Sequence, residues 1–451
     1  MKKIVILFIL ISGFSFSQDK YLIYFKDKDI MPHQYLSKSS GLYQAAISQL
    51  SKKTIERRMK VMSEDSLITY EDLPLRGEYK EALSEKGIKI QRELKWFNAV
   101  SAYLSQSQLE SVKSFAFVSK VERVRIFRQQ GEPEAGSNKS ERPSKTALID
   151  TLNYGYSFTQ LEISDIPFVH SLGIDGKDVI IGILDSGFDW KNHKALKNQK
   201  VIKEFDFVFN DTVTANQAAD DLAQDSHGTY VFSIVGGYDP GSFVGAAFNA
   251  SYLLAKTEDI RTGNNDKHIE EDNYASALEW MESYGVDITS SSLSYNTFIY
   301  PEASYSYSDM NGQTAIVTKA AELAYRRGVV VITAAGNEGN KEWHYITAPA
   351  DGANVIAVGA VTSNNNIAAF SSRGPTSDGR IKPDVDAMGV SVFGANAHSK
   401  VDYNSNNGTS AATPIVSGTA ALLLSAYPYL RNYQVRGILL ETSDNSSSPD
   451  F

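Results

Sequence analysis

The chain has no cysteine among its 451 residues. No disulfide can brace it, and its stability must come from core burial, with bound ions as the remaining aid. It also lacks a concentrated stripe of lysine and arginine: 44 basic and 53 acidic residues are mixed along most of its length, for a formal net charge of -9. A nucleic-acid partner would need a basic footprint, so that class is excluded. No Gly-rich fingerprint follows a strand and opens a helix, which argues against a dinucleotide-binding enzyme. There is no internal repeat and no long low-complexity tract, and beyond the first residues no apolar run reads as long enough to span a bilayer, so no membrane span is expected. What is present is 42% apolar and 22% charged, the composition of a globular protein able to build a sizeable core, at a length that calls for two or three folded units.

Residues 1–17 read MKKIVILFILISGFSFS: two lysines, a short apolar run, then the small residues Ser15 and Ser17. This pattern predicts a secretory signal peptide cleaved near Gln18, and hence a secreted or extracytoplasmic protein. Residues 18–128 predict a small α+β unit, with strands at 21–25, 97–104 and 117–127, a charged helix at 52–61 and helix-start chemistry from Ser105. Residues 129–148, opening with QQGEPEAGSNKSERPSK, have linker composition. From 149 to 451 short continuous apolar runs alternate with helical segments. The runs 179–184, 252–255, 286–293, 329–334 and 354–361 are too apolar for a half-wet sheet, and helices are expected over 273–284 and 314–327. The predicted fold class is therefore α/β, a parallel sheet flanked by helices, preceded by the small α+β domain.

In such a domain reactive groups gather at the carboxyl ends of strands and at the helix starts that follow. Asp185 follows the run VIIGIL; alone it reads as a turn former. His227, in DSHGTYVFSIVGG, falls in the first turn of a helix that Ser226 can cap and whose Val231, Ile234 and Val235 face the core. Gly228 leaves room for something to approach it. Ser410, in NGTSAATPIVSGTAALLLSAYP, opens an apolar helix whose N-terminus favours developing negative charge, with Pro414 early enough that its missing donor costs little. Asn337 ends VVVITAAGN and could donate its amide to an oxyanion, with Gly336 and Gly339 permitting a tight backbone. Each residue alone has a bland reading as a turn, a cap or a satisfied histidine. Together they share one sheet edge, in the order Asp, His, Ser. The histidines at 170, 193, 268, 344 and 398 read as structural or solvated.

The segments DSG at Asp185, SHGTYV at His227, AAGNEG at Asn337 and NGTSAATP at Ser410 resemble the subtilisin-like (subtilase) family of serine peptidases, over roughly residues 175–443. The resemblance implies a serine endopeptidase with Asp185, His227 and Ser410 as its triad and Asn337 in its oxyanion hole. It implies substrate binding by Ser292, Leu293, Ser294 and Tyr295, with Ala334, Ala335, Gly336 and Pro349 lining the primary pocket. It also implies polypeptide substrates and no required cofactor, and it makes residues 18–128 an inhibitory propeptide, an intramolecular partner; an accessory domain is the competing reading.

Several positions depart from the family pattern. Tyr230, Ala411, Ile415 and Met388 replace its usual His, Met, His and Pro, while Ser294 and Tyr295 replace small glycines at the pocket rim. Structural calcium is frequent in the family, and Asp220, Asp221 and Asp225 could offer hard oxygen ligands, although an exposed solvated loop is the favoured reading; no metal ligand is assigned. The chain stops soon after the helix expected at 434–442, where family domains usually continue, so a C-terminal truncation is expected. A non-catalytic peptide-binding descendant of a peptidase is the competing functional class, opposed by all four chemical positions being filled.

Overall fold

The computed structural model describes residues 19–124, 152–262, 266–298, 304–397 and 399–447. The expected signal segment, the end of the strand predicted over 117–127, the linker, His398 and the last residues of the chain lie outside the described residues.

The N-terminal unit is an antiparallel sheet of β1 (Asp19–Phe25), β2 (Ile90–Leu94), β3 (Ala99–Leu104) and β4 (Val118–Arg123) in the order β2-β3-β1-β4. Its helices are α1 (Gly41–Ile47), α2 (Lys52–Met59), α3 (Gly77–Glu85) and α4 (Gln106–Ser114). Ser105 caps α4 in a reciprocal capping box with Gln108, as the helix-start chemistry predicts. The period-2 alternation of β1 divides its side chains between two cores. Tyr21, Ile23 and Phe25 pack with Leu83, Leu109 and Val112 of the unit itself, while Leu22, with Leu94 and Trp96, packs into the second domain.

The second domain holds seven parallel strands. In chain order its elements are α5 (Phe158–Glu162), α6 (Ile166–Ser171), β5 (Ile180–Asp185), β6 (Lys200–Asp206), α7 (Ser226–Gly236), the short pair β7 (Tyr238–Asp239) and β8 (Phe243–Val244), and β9 (Ser251–Lys256). There follow α8 (His268–Ser283), β10 (Ile288–Ser291), α9 (Ile316–Arg326), β11 (Val330–Ala334), β12 (Ile356–Val361), β13 (Val385–Met388), the hairpin β14 (Val392–Ala395) and β15 (Tyr403–Asn406), α10 (Thr409–Ala426) and α11 (Asn432–Glu441). The sheet order is β13-β12-β11-β10-β5-β9-β6. Helices α7 and α10 cover one face and α8 and α9 the other. Every residue of β11 and β12 is buried, which is why these strands read as unbroken apolar runs. From β5 the chain moves outward to β6 and β9, then crosses to β10 on the other side of β5. Asp185 therefore ends the strand at which the direction of winding reverses, the place where crevices form in open α/β sheets.

Two expectations need correction. By length and composition α10 could cross a bilayer, with a mean hydropathy of 1.3 over 18 residues, but 72% of it is buried inside the protein; it is the central core helix. The cap position of α7 is Asp225, and Ser226 is its first helical residue.

Candidate functional site

Asp185 is fully buried at the end of β5. Its Oδ1 accepts hydrogen bonds from the Ser186 N–H at 2.7 Å and the Ser186 hydroxyl at 3.2 Å. The Nδ1 of His227 lies 2.8 Å from Asp185 Oδ1 and 3.0 Å from Oδ2. That pairing fixes the proton on Nδ1 and leaves Nε2 to face outward. Contact with the sheet works against a charged imidazole, but the Asp185 carboxylate, by charge and hydrogen bond, outweighs it and holds His227 above the ordinary histidine range. Gly228 makes the approach possible: a Cβ there would lie 2.1 Å from the Gly187 carbonyl oxygen and 3.1 Å from the Asp185 Cβ. The room that the sequence reserves at Gly228 is filled by the Asp185 turn itself.

Ser410 is the second residue of α10. Pro414, four residues on, has no N–H to donate to the Ser410 carbonyl. The Ser292 hydroxyl donates to that carbonyl instead, at 2.8 Å. Ser292, expected among the substrate-binding residues, thus has its side chain aimed at the backbone of Ser410.

Asn337 follows β11. Its Oδ1 accepts from both the N–H (2.9 Å) and the hydroxyl (3.1 Å) of Thr409, which fixes the amide with Nδ2 turned the other way. Gly408 completes the arrangement. The point where its Cβ would sit is 2.7 Å from Ser410 Oγ, 3.6 Å from Asn337 Nδ2 and 3.6 Å from the Ser410 backbone nitrogen. Glycine keeps this space open, with two N–H donors and one hydroxyl around it.

The remaining expected residues are brought to the same end of the sheet, with different exposures. Leu293 and Ser294 are half-buried. Tyr295 is fully buried and pairs with Ala348 through two backbone hydrogen bonds, 2.8 and 3.1 Å, next to Pro349. Its hydroxyl donates to Glu258 at 2.6 Å, so it stands buried in the wall, which corrects the expectation of a residue at the pocket rim. Ala334, Ala335, Gly336 and Pro349 are buried alongside. Gly336 has φ +110, and a Cβ there would meet the Ser372 and Thr347 hydroxyls at 2.8 and 2.9 Å.

Of the other histidines, His170 lies between the Tyr154 hydroxyl and the Ala246 carbonyl. His193 meets the Asp402 carbonyl, His268 meets Glu271 and His344 meets the Gly339 carbonyl; all four are structural. The acidic cluster does not fit a calcium ion. Asp220 directs both oxygens at the buried Lys256, at 2.9 and 2.8 Å, while Asp221 accepts from the Ala223 N–H and Asp225 from the Asn216 N–H. Among the described residues a different group, Glu258, Asp266 and Glu270, brings carboxylate oxygens within 4.8 Å of one another. Burial, joined by the neighbouring carboxylates, pushes Glu258 up to about 8 and Glu270 up to about 9. Sequence reasoning missed this group, together with Thr409 and the positioning role of Ser292. The last was within reach, because Pro414 announces an unserved carbonyl at Ser410.

Comparison with known proteins gives the family. The sequence model of the subtilase family matches residues 176–451, and the chain belongs to that family: it is a serine-type endopeptidase. The model of the Bacteroidota peptidase S8 propeptide domain matches residues 20–141, so the N-terminal unit is a propeptide domain. Among its relatives, subtilisin E of Bacillus subtilis (strain 168) is 31% identical over 81% of this chain and 80% of that protein. Subtilisin DY of Bacillus licheniformis is 34% identical over 61% of this chain and 88% of that protein. A solved cold adapted subtilisin-like serine proteinase is 25% identical over 61% of this chain and 86% of that one, with a TM-score of 0.47.

Proposed function

We propose that the chain is a secreted endopeptidase acting on polypeptides through an Asp185–His227–Ser410 triad, with Asn337 and the Ser410 N–H as its oxyanion donors. The observations that carry this reading are the open space at Gly408, with Ser410 Oγ and both donors around it, and a His227 whose Nδ1 is held by Asp185. His227 takes the Ser410 proton at Nε2 as Oγ attacks the peptide carbonyl, and the buried Asp185 stabilises the imidazolium. The carbonyl oxygen, now negative, sits between the two donors. His227 then protonates the leaving amine, the acyl–oxygen bond to Ser410 forms an ester, and water reverses the sequence. The half-buried edge at Leu293 and Ser294 receives the substrate backbone, and the walls at Ala334, Ala335, Gly336 and Pro349 receive the side chain before the scissile bond. Residues 18–128 inhibit until they are removed by a cut in the linker 129–148, and residues 1–17 direct export.

A phosphonofluoridate-type probe tests the centre: it should label the wild type at Ser410 and leave Ser410→Ala and His227→Ala unlabelled. Equal labelling of Ser410→Ala would overturn the assignment. In a protease-deficient host Ser410→Ala should keep its propeptide, and purified wild type should clip it in the linker.

A further inference from the structure

Tyr230 stands one helical turn after His227 on α7, at one of the positions where the sequence departs from the family pattern. Its hydroxyl donates to the Val392 carbonyl at 2.7 Å and accepts from the Asn406 N–H. It thereby spans the Val392–Asn406 pair at the end of the β14–β15 hairpin. The ring lies against Gly394, where a Cβ would sit 2.4 Å from Tyr230 Cδ2. One side chain therefore ties the helix carrying His227 to the strand that runs on through Gly408 to Ser410.

A cavity of about 200 Å³ opens between this helix and this hairpin. His227 and Tyr230 form one side, and Ala395, Asn396, Asn404 and Asn406 the other. Among the described residues no Asp, Glu, Lys or Arg lines it. Asn404 and Asn406 alternate along β15 onto the face that meets the cavity. Both are exposed, and among the described residues neither amide has a hydrogen-bond partner. Each offers donors and an acceptor to whatever enters. The walls assigned to the acyl side come from β10, β11 and Pro349 and share no residue with this cavity. Gly408 follows Asn406 by two residues, so the cavity adjoins the catalytic space from the opposite side.

We propose that this cavity is the subsite for the residue that follows the scissile bond, and that the Asn404 and Asn406 amides select there an uncharged carboxamide side chain, glutamine or asparagine. The inference rests on the proposed mechanism, in which His227 protonates the leaving amine and the leaving segment therefore passes over the imidazole. An amide meets an amide with donor to acceptor in both directions. An apolar side chain would cover the two asparagines and leave their polar atoms unpaired. A cationic one would face the imidazolium formed on His227 in the same wall. A carboxylate would pair with that imidazolium and hold the proton that the leaving amine needs.

Capture of the acyl-enzyme by added amines isolates this subsite. With a peptide ester as acyl donor, the Ser410 ester is attacked by water or by an amino-acid amide. In the second case the amine passes its proton to His227 as the new C–N bond forms, and His227 returns it to Oγ as the bond to Ser410 breaks. Self-processed wild type should capture glutaminamide about tenfold more efficiently than methioninamide, which has nearly the same shape, or lysinamide. Asn404→Leu combined with Asn406→Leu should bring glutaminamide to within about threefold of methioninamide. Equal capture of the three amides by the wild type, or a glutaminamide preference that survives both replacements, would overturn the proposal. Hydrolysis of the ester in water alone reads the triad separately. Ester cleavage with flat capture refutes the subsite and spares the mechanism, whereas an ester left intact by the wild type refutes the mechanism and the subsite with it.

Discussion

Replacing Asn337 separates two functions that its amide combines. Nδ2 faces the space at Gly408, while Oδ1 holds Thr409 through two hydrogen bonds. Asn337→Leu keeps the volume and loses both. Asn337→Asp keeps an oxygen for Thr409 and puts a negative carboxylate oxygen in place of the donor. One oxyanion donor of two contributes about 2.7–4 kcal/mol to the transition state, or roughly 10²–10³ in kcat. The lost Thr409 tether costs about 1 kcal/mol of stability in the Leu variant alone. Both variants should therefore show kcat reduced about a hundredfold or more with KM nearly unchanged, measured on a chromogenic peptide, and only Asn337→Leu should melt measurably lower. If Asn337→Asp kept wild-type kcat while Asn337→Leu lost it, the side chain would act by holding Thr409 and the oxyanion argument would fail. A raised KM at constant kcat in both would fail it too, because that outcome marks ordinary ground-state binding.

Three further outcomes follow from the same geometry. His227 must be neutral to accept a proton and its basicity is raised, so kcat/KM should fall as pH drops through a value above the ordinary histidine range; Asp185→Asn should move that limb to lower pH and cut kcat roughly 10⁴-fold, and an unmoved limb would refute the pairing. Ser292→Ala leaves the Ser410 carbonyl without its donor, for about 1–3 kcal/mol, and should lower kcat about tenfold while Ser292→Thr restores it; equal loss in both would show that bulk and not the hydroxyl matters. At the propeptide interface Glu279 accepts the Trp96 N–H at 2.8 Å, and burial raises it to about 7 against the pull of Lys95, Lys28 and Arg327. A carboxyl raised by docking strengthens docking fully below the free carboxylate range and loses that contribution as pH rises through about 7, so propeptide affinity should weaken roughly a hundredfold from about pH 5 to about pH 8. Glu279→Gln should flatten the profile, and an unchanged slope would refute the linkage.

Strands β5, β9, β10, β11 and β12 were legible because each rests on local pattern: VIIGIL is covered on both faces and leads straight to Asp185, and the apolar run after Ser410 is the core helix. Strand β6 was not legible. It is the edge of the sheet, its lysines and the half-exposed Ile202 face water, and so it lacks the apolar run that marks its neighbours. Tyr295 read as a rim residue because nothing local signals Glu258, 37 positions away, which satisfies its hydroxyl inside the wall. The charged helix at 52–61 was legible as a helix, but the burial of its arginines was not: Arg57 and Arg58 are buried against a glutamate more than 220 positions distant. Periodicity reports burial of apolar faces, and buried ion pairs between distant segments leave no trace in it.

The hydrogen bond from Ser292 to the Ser410 carbonyl ties the first turn of the core helix to the strand end at β10 in place of its own fourth residue onward. Ser292 also begins the segment in which Leu293 and Ser294 are half-buried, the edge proposed to receive the substrate backbone. A shift of that segment along the strand direction therefore carries the serine backbone with it, and under the proposed mechanism the register of a bound peptide and the line of attack on its carbonyl would be set by one and the same contact.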